Sequence, residues 1–380
     1  MASVEKVSTG WRARWRSPDG GSRSKTFARK VDAERFLTTV DSAKLSGSYV
    51  DPSLGRRTFG DYASSWLTTK VDVTSRTRIN VEGRLQNHVL PVLGGIPLAS
   101  IRPEDIRLLV ATMVTQKRLA PSTVKAVYLT TSQVLETAEI DGLIGRSPCR
   151  GVKLPEEPEG EEMLFLTPEQ VVLLAETIEP RFRALVLCAA YSGMRAGELS
   201  ALKLQRIDFL RGRIRVTEAH SEVRGRLETK TTKSRRKREV PIPRALVDEL
   251  AEHVQRFPSS GGFVFTAPAG GPLRHHNFYM RSYRQAVEAA GLPAGLRFHD
   301  LRHTAAAILI DQGCNEKQLQ VILGDTSRAI ERYKHLFDGH EEALMGRLDA
   351  VYRRTAVSDL CHGAQIRALQ SPAEGAESAL

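Results

Sequence analysis

Cysteine is scarce here: Cys149, Cys188, Cys314 and Cys361 are scattered along 380 residues, with no Cys-x-x-Cys pair. That scatter argues against a disulfide framework or a zinc knuckle and predicts reduced, structural thiols. Long apolar runs are missing too. No stretch approaches the roughly 18 residues needed to cross a bilayer, so no membrane partner is expected. The opening Met1-Ala-Ser-Val-Glu-Lys has no hydrophobic segment of a secretory signal, and the expected location is the cytoplasm. Acids are the minority charge, 44 Asp+Glu against 55 Lys+Arg, which leaves a formal net charge of +11. A surface of that sign attracts a polyanion, and nucleic acid is the leading partner class.

What is present is ordinary globular material, 41% hydrophobic and long enough for two or three domains. Over residues 7–50, Trp11, Ala13 and Trp15 alternate with Arg12, Arg14 and Arg16, and Pro18-Asp-Gly-Gly supplies a turn before Ser24-Lys-Thr-Phe-Ala. The pattern predicts a β-hairpin whose tryptophans form a small core and whose arginines face outward, toward phosphates. Ala33, Phe36 and Leu37 then place a helix over about 32–42. A helical region follows from about 58 to 150: Ile106, Leu109, Val110 and Met113 repeat at helical spacing behind Pro103, as do Val124, Val127 and Tyr128 behind Pro121. Short connections make this a bundle. Lys117, Arg118 and Lys125 on it either line a DNA groove or form a solvated face.

Proline, glycine and acidic residues make a linker of 148–162. Beyond it, Thr167-Pro-Glu-Gln170 has the form of a capping box, and Phe182, Leu185, Val186 and Ala189 form the buried stripe of a helix that stops at Gly193. Strand-like segments at 213–217, 227–230 and 240–243 predict a small sheet. Leu246, Leu250 and Val254 return to helical spacing, and the apolar pattern fades after Arg354.

The chemistry concentrates between His299 and Tyr333. His299-Asp-Leu-Arg302-His303 opens one amphipathic segment, and Tyr333 closes another after the turn Leu323-Gly324-Asp325. Cleaving a phosphodiester without a metal needs cations on the nonbridging oxygens, an acid for the leaving oxygen and a nucleophile opposite it. Arginine suits the first task, because its planar fork binds phosphate in a bidentate manner and stays charged. Arg302 lies one turn beyond His299, and Arg195 follows Gly193-Met194 at a helix break. His299 and His303 also have the spacing of two metal ligands on a helix, but no nearby acidic motif completes a zinc site. No metal is expected, and His303 is expected either to pack or to support a neighbouring residue of the site.

Tyr191-Ser-Gly-Met-Arg195-Ala-Gly-Glu198-Leu, His299-Asp-Leu-Arg302-His303-Thr and Leu323-Gly324-Asp325 through Tyr333 resemble, in that order, the three boxes of the tyrosine recombinase family, and within it the phage-type integrases. The resemblance covers nearly the whole chain. It implies a mainly α fold with small β elements: an arm-type DNA-binding domain of sheet and helix at 1–55, a helical core-binding domain at 56–153, a mixed α+β catalytic domain at 164–354 and a flexible tail at 355–380. It implies a site-specific DNA recombinase that integrates or excises a mobile element. Tyr333 would attack the scissile phosphate to leave a 3′-phosphotyrosyl link and a free 5′-hydroxyl. Arg195 and Arg302 would stabilise the pentavalent transition state, and His299 would donate a hydrogen bond or move a proton. No metal or other cofactor is implied. The implied partners are double-stranded DNA carrying attachment sites, a transient homotetramer on that DNA, and an accessory DNA-bending or directionality factor.

The same resemblance assigns the general acid to a hairpin lysine in Lys230-Thr-Thr-Lys233-Ser-Arg-Arg-Lys-Arg238. Lys230 fits if the turn is longer than usual, Lys233 if it is not. Arg235, Arg236, Lys237 and Arg238 are expected on phosphates. Glu198 either orients Arg195 or is a solvent-exposed helix acid. Two departures stand out. Most family members have histidine or tryptophan where this chain has Asp325, and Tyr333 follows that position by eight residues, one fewer than the family spacing. An ionised aspartate turned inward repels phosphate, whereas one turned outward caps the next helix. A missing helical residue rotates a side chain by about 100°. The alternative reading is therefore a catalytically impaired DNA-binding protein of the same fold.

Overall fold

The computed structural model describes residues 2–17, 20–45, 56–157, 163–231, 238–338, 345–350 and 353. Lys233, Arg235, Arg236, Lys237 and the tail expected at 355–380 lie outside that set. The chain divides into two units, 1–161 and 162–380.

In the first unit, strands β1 (Ser3–Val7), β2 (Gly10–Arg16) and β3 (Ser22–Phe27) form an antiparallel sheet in that order. The hairpin expected from the Trp/Arg alternation is β2–β3. The added strand β1 pairs Val4 with Ala13 and Lys6 with Trp11, an addition that its short polar sequence does not announce. Ala13 and Trp15 are buried against Ala33, Leu37 and Val40 of helix α1 (Lys30–Leu45), and Trp15 meets Phe36 edge to face at 5.1 Å. The tryptophan face is thus core, while Arg14 and Arg16 alternate onto the exposed face.

Helices α2 (Phe59–Thr69), α3 (Ser75–Arg84), α4 (Leu90–Leu93), α5 (Pro103–Thr115) and α6 (Pro121–Ile140) follow. Pro103 and Pro121 open α5 and α6, where the missing N–H has no intrahelical partner to lose. Ile106, Leu109, Val110, Met113, Val124 and Val127 join Phe59 and Trp66 in one core. The expected linker starts later than its composition suggests. Cys149 is buried in this core, the Tyr128 hydroxyl donates to its carbonyl at 2.5 Å, and Glu139 accepts from the Ser147 N–H at 2.9 Å.

The second unit opens with α7 (Pro168–Thr177), whose capping box closes as expected: Gln170 N–H reaches Thr167 Oγ1 at 3.3 Å and Thr167 N–H reaches Gln170 Oε1 at 2.9 Å. Next come α8 (Pro180–Ser192), α9 (Ala196–Ser200), β4 (Ile207–Asp208), β5 (Arg213–Val216), β6 (Glu218–Val223), β7 (Arg226–Thr231) and β8 (Arg238–Pro241). The single small sheet expected here is two: β4-β5-β8 and the ribbon β6-β7. Thr217 alone separates β5 from β6, so the chain changes sheets there. Helices α10 (Arg244–Arg256), α11 (His275–Phe278), α12 (Arg284–Ala289), α13 (Asp300–Asp311), α14 (Glu316–Leu323) and α15 (Ser327–Ile330) complete the unit, and a 3₁₀ turn over Glu331–Phe337 carries Tyr333. Among the described residues no helix is long and apolar enough to cross a membrane.

Helices α8 and α13 pack together at the centre of this unit. Gly193 ends α8 and Gly324 ends α14, both left-handed, at φ 62° and 65°. A side chain at either would be strained, and a Cβ on Gly193 would lie 2.4 Å from Leu323 Cδ2. Two helix C-termini therefore meet beside the N-terminal turn of α13.

Candidate active site

Helix C-termini leave carbonyl oxygens without intrahelical donors, and each end carries partial negative charge. Arg302, in the first turn of α13 and only 3% exposed, fills the space between the ends of α8 and α14. Its guanidinium donates to the Gly193 carbonyl, to the Leu323 carbonyl at 2.9 Å and to Asp325 Oδ2 at 2.7 Å. The turn that bears it is pinned by Asp300, 1% exposed, which accepts the Arg297 N–H at 2.6 Å. The glycines of the first and third boxes thus end the two helices whose carbonyls hold this buried arginine, and a Cβ at Gly324 would lie 2.7 Å from Arg238.

Arg195 caps the start of α9 and remains 40% exposed on its side chain. Its guanidinium meets the other oxygen of Asp325, and also Glu198 Oε1 at 3.1 Å. Glu198 is 4% exposed, which corrects the solvent-exposed reading and leaves the orienting one. Its carboxylate accepts the Arg195 N–H at 2.9 Å and both guanidinium nitrogens of Arg238, at 2.9 and 2.7 Å. The phosphate contact expected of Arg238 is likewise corrected. Its side chain is 10% exposed, clamped on Glu198 and aimed at the Ile322 carbonyl at 3.3 Å.

Burial alone would raise the Glu198 pKa, but the Arg238 hydrogen bonds and charge, with Arg195 behind them, bring it below the usual carboxylate range. A depressed acid stabilises the fold above its unfolded pKa, and that contribution disappears as pH falls through the folded value. Glu198→Ala should cost about 3 kcal/mol at neutral pH, because it strands Arg238 in the interior. Urea denaturation at pH 7 measures this, and the gap between mutant and native protein should narrow below about pH 4. A gap that persists unchanged in acid would contradict the assignment.

Asp325 points inward. Both of its oxygens are held by Arg195 and Arg302, and Thr326 takes the cap position of α15. The outward, helix-capping reading of Asp325 is overturned. Three guanidiniums and two carboxylates leave this cluster one positive charge in excess.

Tyr333 is 1% exposed, with its hydroxyl 2.8 Å from His303 Nδ1. Between Asp325 and Tyr333 the chain changes from α to 3₁₀ geometry, in which residues three apart eclipse. Ile330 and Tyr333 accordingly share one face, against Ala306, Ile310, Leu319 and Leu323. Burial raises the phenol pKa, while the charges of Arg302, Asp325, Arg332 and Arg195 all reach it. His299 stands exposed at the mouth of the cluster, 5.2 Å from the His303 ring. Desolvation by the surrounding chain, then the Arg302 charge, holds its imidazole below the usual value.

Residues 164–340 match the phage integrase family, and residues 58–114 match the SAM-like N-terminal domain of phage integrases. The prophage phiRv2 integrase of Mycobacterium tuberculosis is 30% identical over 351 residues, covering 89% of this chain and 92% of the relative. The chain belongs to the phage integrase family. Another relative, the integrase of Mycobacterium phage L5, is 27% identical over 84% of this chain and 88% of its own length. Among solved structures, the Tn1549 transposon integrase bound to circular intermediate DNA aligns at TM-score 0.68 and 20% identity, covering 77% of this chain and 99% of that one. A λ integrase tetramer bound to a Holliday junction aligns at TM-score 0.57 and 16% identity, covering 86% and 94%. These last two likenesses are of fold.

Other candidate residues of this integrase-family sequence fall in different places. Lys230 lies on β7 directly opposite Ala219, and the Ala219 Cβ is 3.7 Å from where a Cβ on Gly197 would be. Opposed residues share a ribbon face, so Lys230 is on the face that meets α9, with Nζ 3.0 Å from Glu228. Lys233 lies outside the described residues. Arg12 and Arg14 pair with Glu5 at 3.6 and 3.1 Å, and Arg16 is exposed. Lys117 donates to the Asn87 carbonyl at 2.5 Å, Arg118 is exposed at φ 48°, and Lys125 pairs with Glu157 at 3.0 Å. All six lie in the first unit. His303 is the participant whose contact with Tyr333 the motifs do not give. Its spacing of four from His299 is the available signal, since it puts both rings on one helix face.

Proposed function

We propose that this chain is a site-specific DNA recombinase that cuts and rejoins DNA through a 3′-phosphotyrosyl intermediate, integrating or excising a mobile element. One observation carries the reading: Arg195 and Arg302 share one anion, and the buried hydroxyl of Tyr333 is held by His303, the residue next to Arg302 on α13. A scissile phosphate replaces the Asp325 carboxylate on Arg195 and Arg302, Tyr333 attacks it, and His299 hydrogen-bonds a nonbridging oxygen. Lys230, on the ribbon face toward α9, protonates the leaving 5′ oxygen, with Lys233 as its competitor. The bond energy is kept in the phosphotyrosyl ester, so the step draws on no cofactor.

The basic face of the N-terminal sheet binds arm-type sites, the helical domain and the catalytic domain at 164–354 clamp the core site, and four copies act transiently on two duplexes. Holliday-junction and circular-intermediate complexes of the λ and Tn1549 integrases support that arrangement by analogy of fold. An accessory bending or directionality factor completes the set of partners. The second reading, a DNA-binding protein with impaired catalysis, is favoured by the paired state of both arginines. A nicked suicide duplex bearing the attachment sequence beside the coding region separates the two. Covalent protein–DNA complex resistant to denaturant is expected, and DNA binding without it at any pH from 6 to 9 would favour the second reading.

A further inference from the structure

The Tyr333 hydroxyl has one partner among the described residues, His303, and that contact is built rather than incidental. Both side chains are buried, at 4% exposure for His303 and 1% for Tyr333, and their rings sit 5.7 Å apart. His303 lies one position past Arg302 on α13, so the helix that delivers a phosphate-binding arginine also delivers the imidazole to the phenol. Asp325, whose charge also reaches the phenol, is already engaged by two guanidiniums. The family position that usually follows Leu-Gly with a histidine or tryptophan supplies no imidazole here.

We propose that His303 is a catalytic residue, the base that aligns Tyr333 and receives its proton. This rests on the recombinase reading above and adds to it the group on the nucleophile's side of the reaction. In the resting site Tyr333 Oη–H donates to His303 Nδ1. As the Oη–P bond forms, the proton passes to Nδ1. The P–O5′ bond breaks with its electron pair on the leaving oxygen, which takes a proton from the hairpin lysine. In the rejoining direction the 5′-hydroxyl attacks phosphorus and gives its proton back to the hairpin lysine, the Oη–P bond breaks with its electron pair on the phenol oxygen, and His303 returns its proton to the departing phenolate.

Electrostatics makes the ring a weak base at rest and a stronger one only once substrate is seated. Burial first, and the neighbouring His299 second, press the His303 pKa down to about 4, with Asp300 acting in the opposite sense and Arg332 and Arg297 in the same one. The ring is therefore neutral at physiological pH, its lone pair is available, and no ion pair forms before substrate arrives. A phosphodiester seated on Arg302 brings negative charge beside the imidazole, and the pentavalent state brings more. Both favour its protonated form.

The test is single-turnover cleavage of two suicide duplexes, one with an ordinary scissile phosphate and one with a 5′-bridging sulfur, whose departure needs no acid. His303→Gln is expected to bind DNA normally and to cleave both substrates about 100-fold more slowly, the ordinary yield of a general base. The deficit should shrink as pH rises from 7 to 10 and phenolate forms unaided. His303→Ala should regain rate with added imidazole. Rescue of His303→Gln by the sulfur substrate would put the residue on the leaving-group side and overturn the proposal. A loss that is uniform across pH and indifferent to imidazole would reduce His303 to packing and overturn it equally. Native protein that forms no covalent complex would remove the recombinase reading itself. Native protein that cleaves, alongside His303→Gln that cleaves equally well, removes only the base.

Discussion

Tyr333→Phe should bind attachment-site DNA as tightly as the native chain and form no covalent complex with it. Affinity in such systems comes largely from cationic contacts to many phosphates, to which the neutral, buried Tyr333 adds little. The chemical step, by contrast, has no substitute nucleophile on the proposed line of attack. Removing a nucleophile from an assembled site lowers turnover by about 10⁴-fold or more. The fold should lose only about 1 kcal/mol, because phenylalanine keeps the contacts with Ile330 and Leu323 and forfeits just the bond to His303. Denaturing gels of trapped suicide substrate, read beside a mobility-shift titration and a thermal melt, resolve the three quantities. A covalent adduct surviving in Tyr333→Phe and mapping to any other tyrosine would refute the assignment.

The parts of this site that are legible in the sequence share a physical reason. Arg195 and Arg302 stand next to features that local rules describe: a glycine that ends a helix, or a His-x-x-Arg turn that begins one. Tyr333 is fixed by its distance from a second such glycine, Gly324. Local signals fail where a partner is remote. Lys230 through Arg238 is one run rich in cations, and nothing within it says that Arg238 turns inward, because its partner Glu198 is 40 positions away. The same separation hides the burial of Glu198. Asp325-Thr-Ser suits a helix start on local grounds, yet two arginines outcompete a backbone cap for the carboxylate, since a paired charge gains more than a capped one in a buried setting. Strands β1 and β6 escape local reading because Ser-Val-Glu-Lys-Val and Glu-Ala-His-Ser-Glu-Val are mostly polar. Their pairing energy comes from the neighbouring strand.

Asp325→Asn should raise the rate of covalent-complex formation by about 100-fold while making the free protein less stable. The two effects have one cause. The carboxylate occupies the oxyanion positions that a phosphate needs on Arg195 and Arg302, so substrate must displace it. A negative charge held about 5 Å from the phosphate costs on the order of 3 kcal/mol at an effective dielectric constant of 20, which is about 100-fold in rate. Removing it also leaves Arg302, 3% exposed, with neutral acceptors in place of the carboxylate: the Gly193 and Leu323 carbonyls and the amide oxygen. That should cost about 2–3 kcal/mol, less than a full truncation because the amide still accepts a hydrogen bond. DNA then becomes the counter-ion for both arginines, so bound DNA should raise the melting temperature of Asp325→Asn more than that of the native chain. Stopped single-turnover cleavage and paired melts with and without duplex measure the opposing shifts. A loss of cleavage comparable to that of an arginine variant would show the opposite logic, with the carboxylate holding the two arginines in the reactive arrangement rather than competing for them.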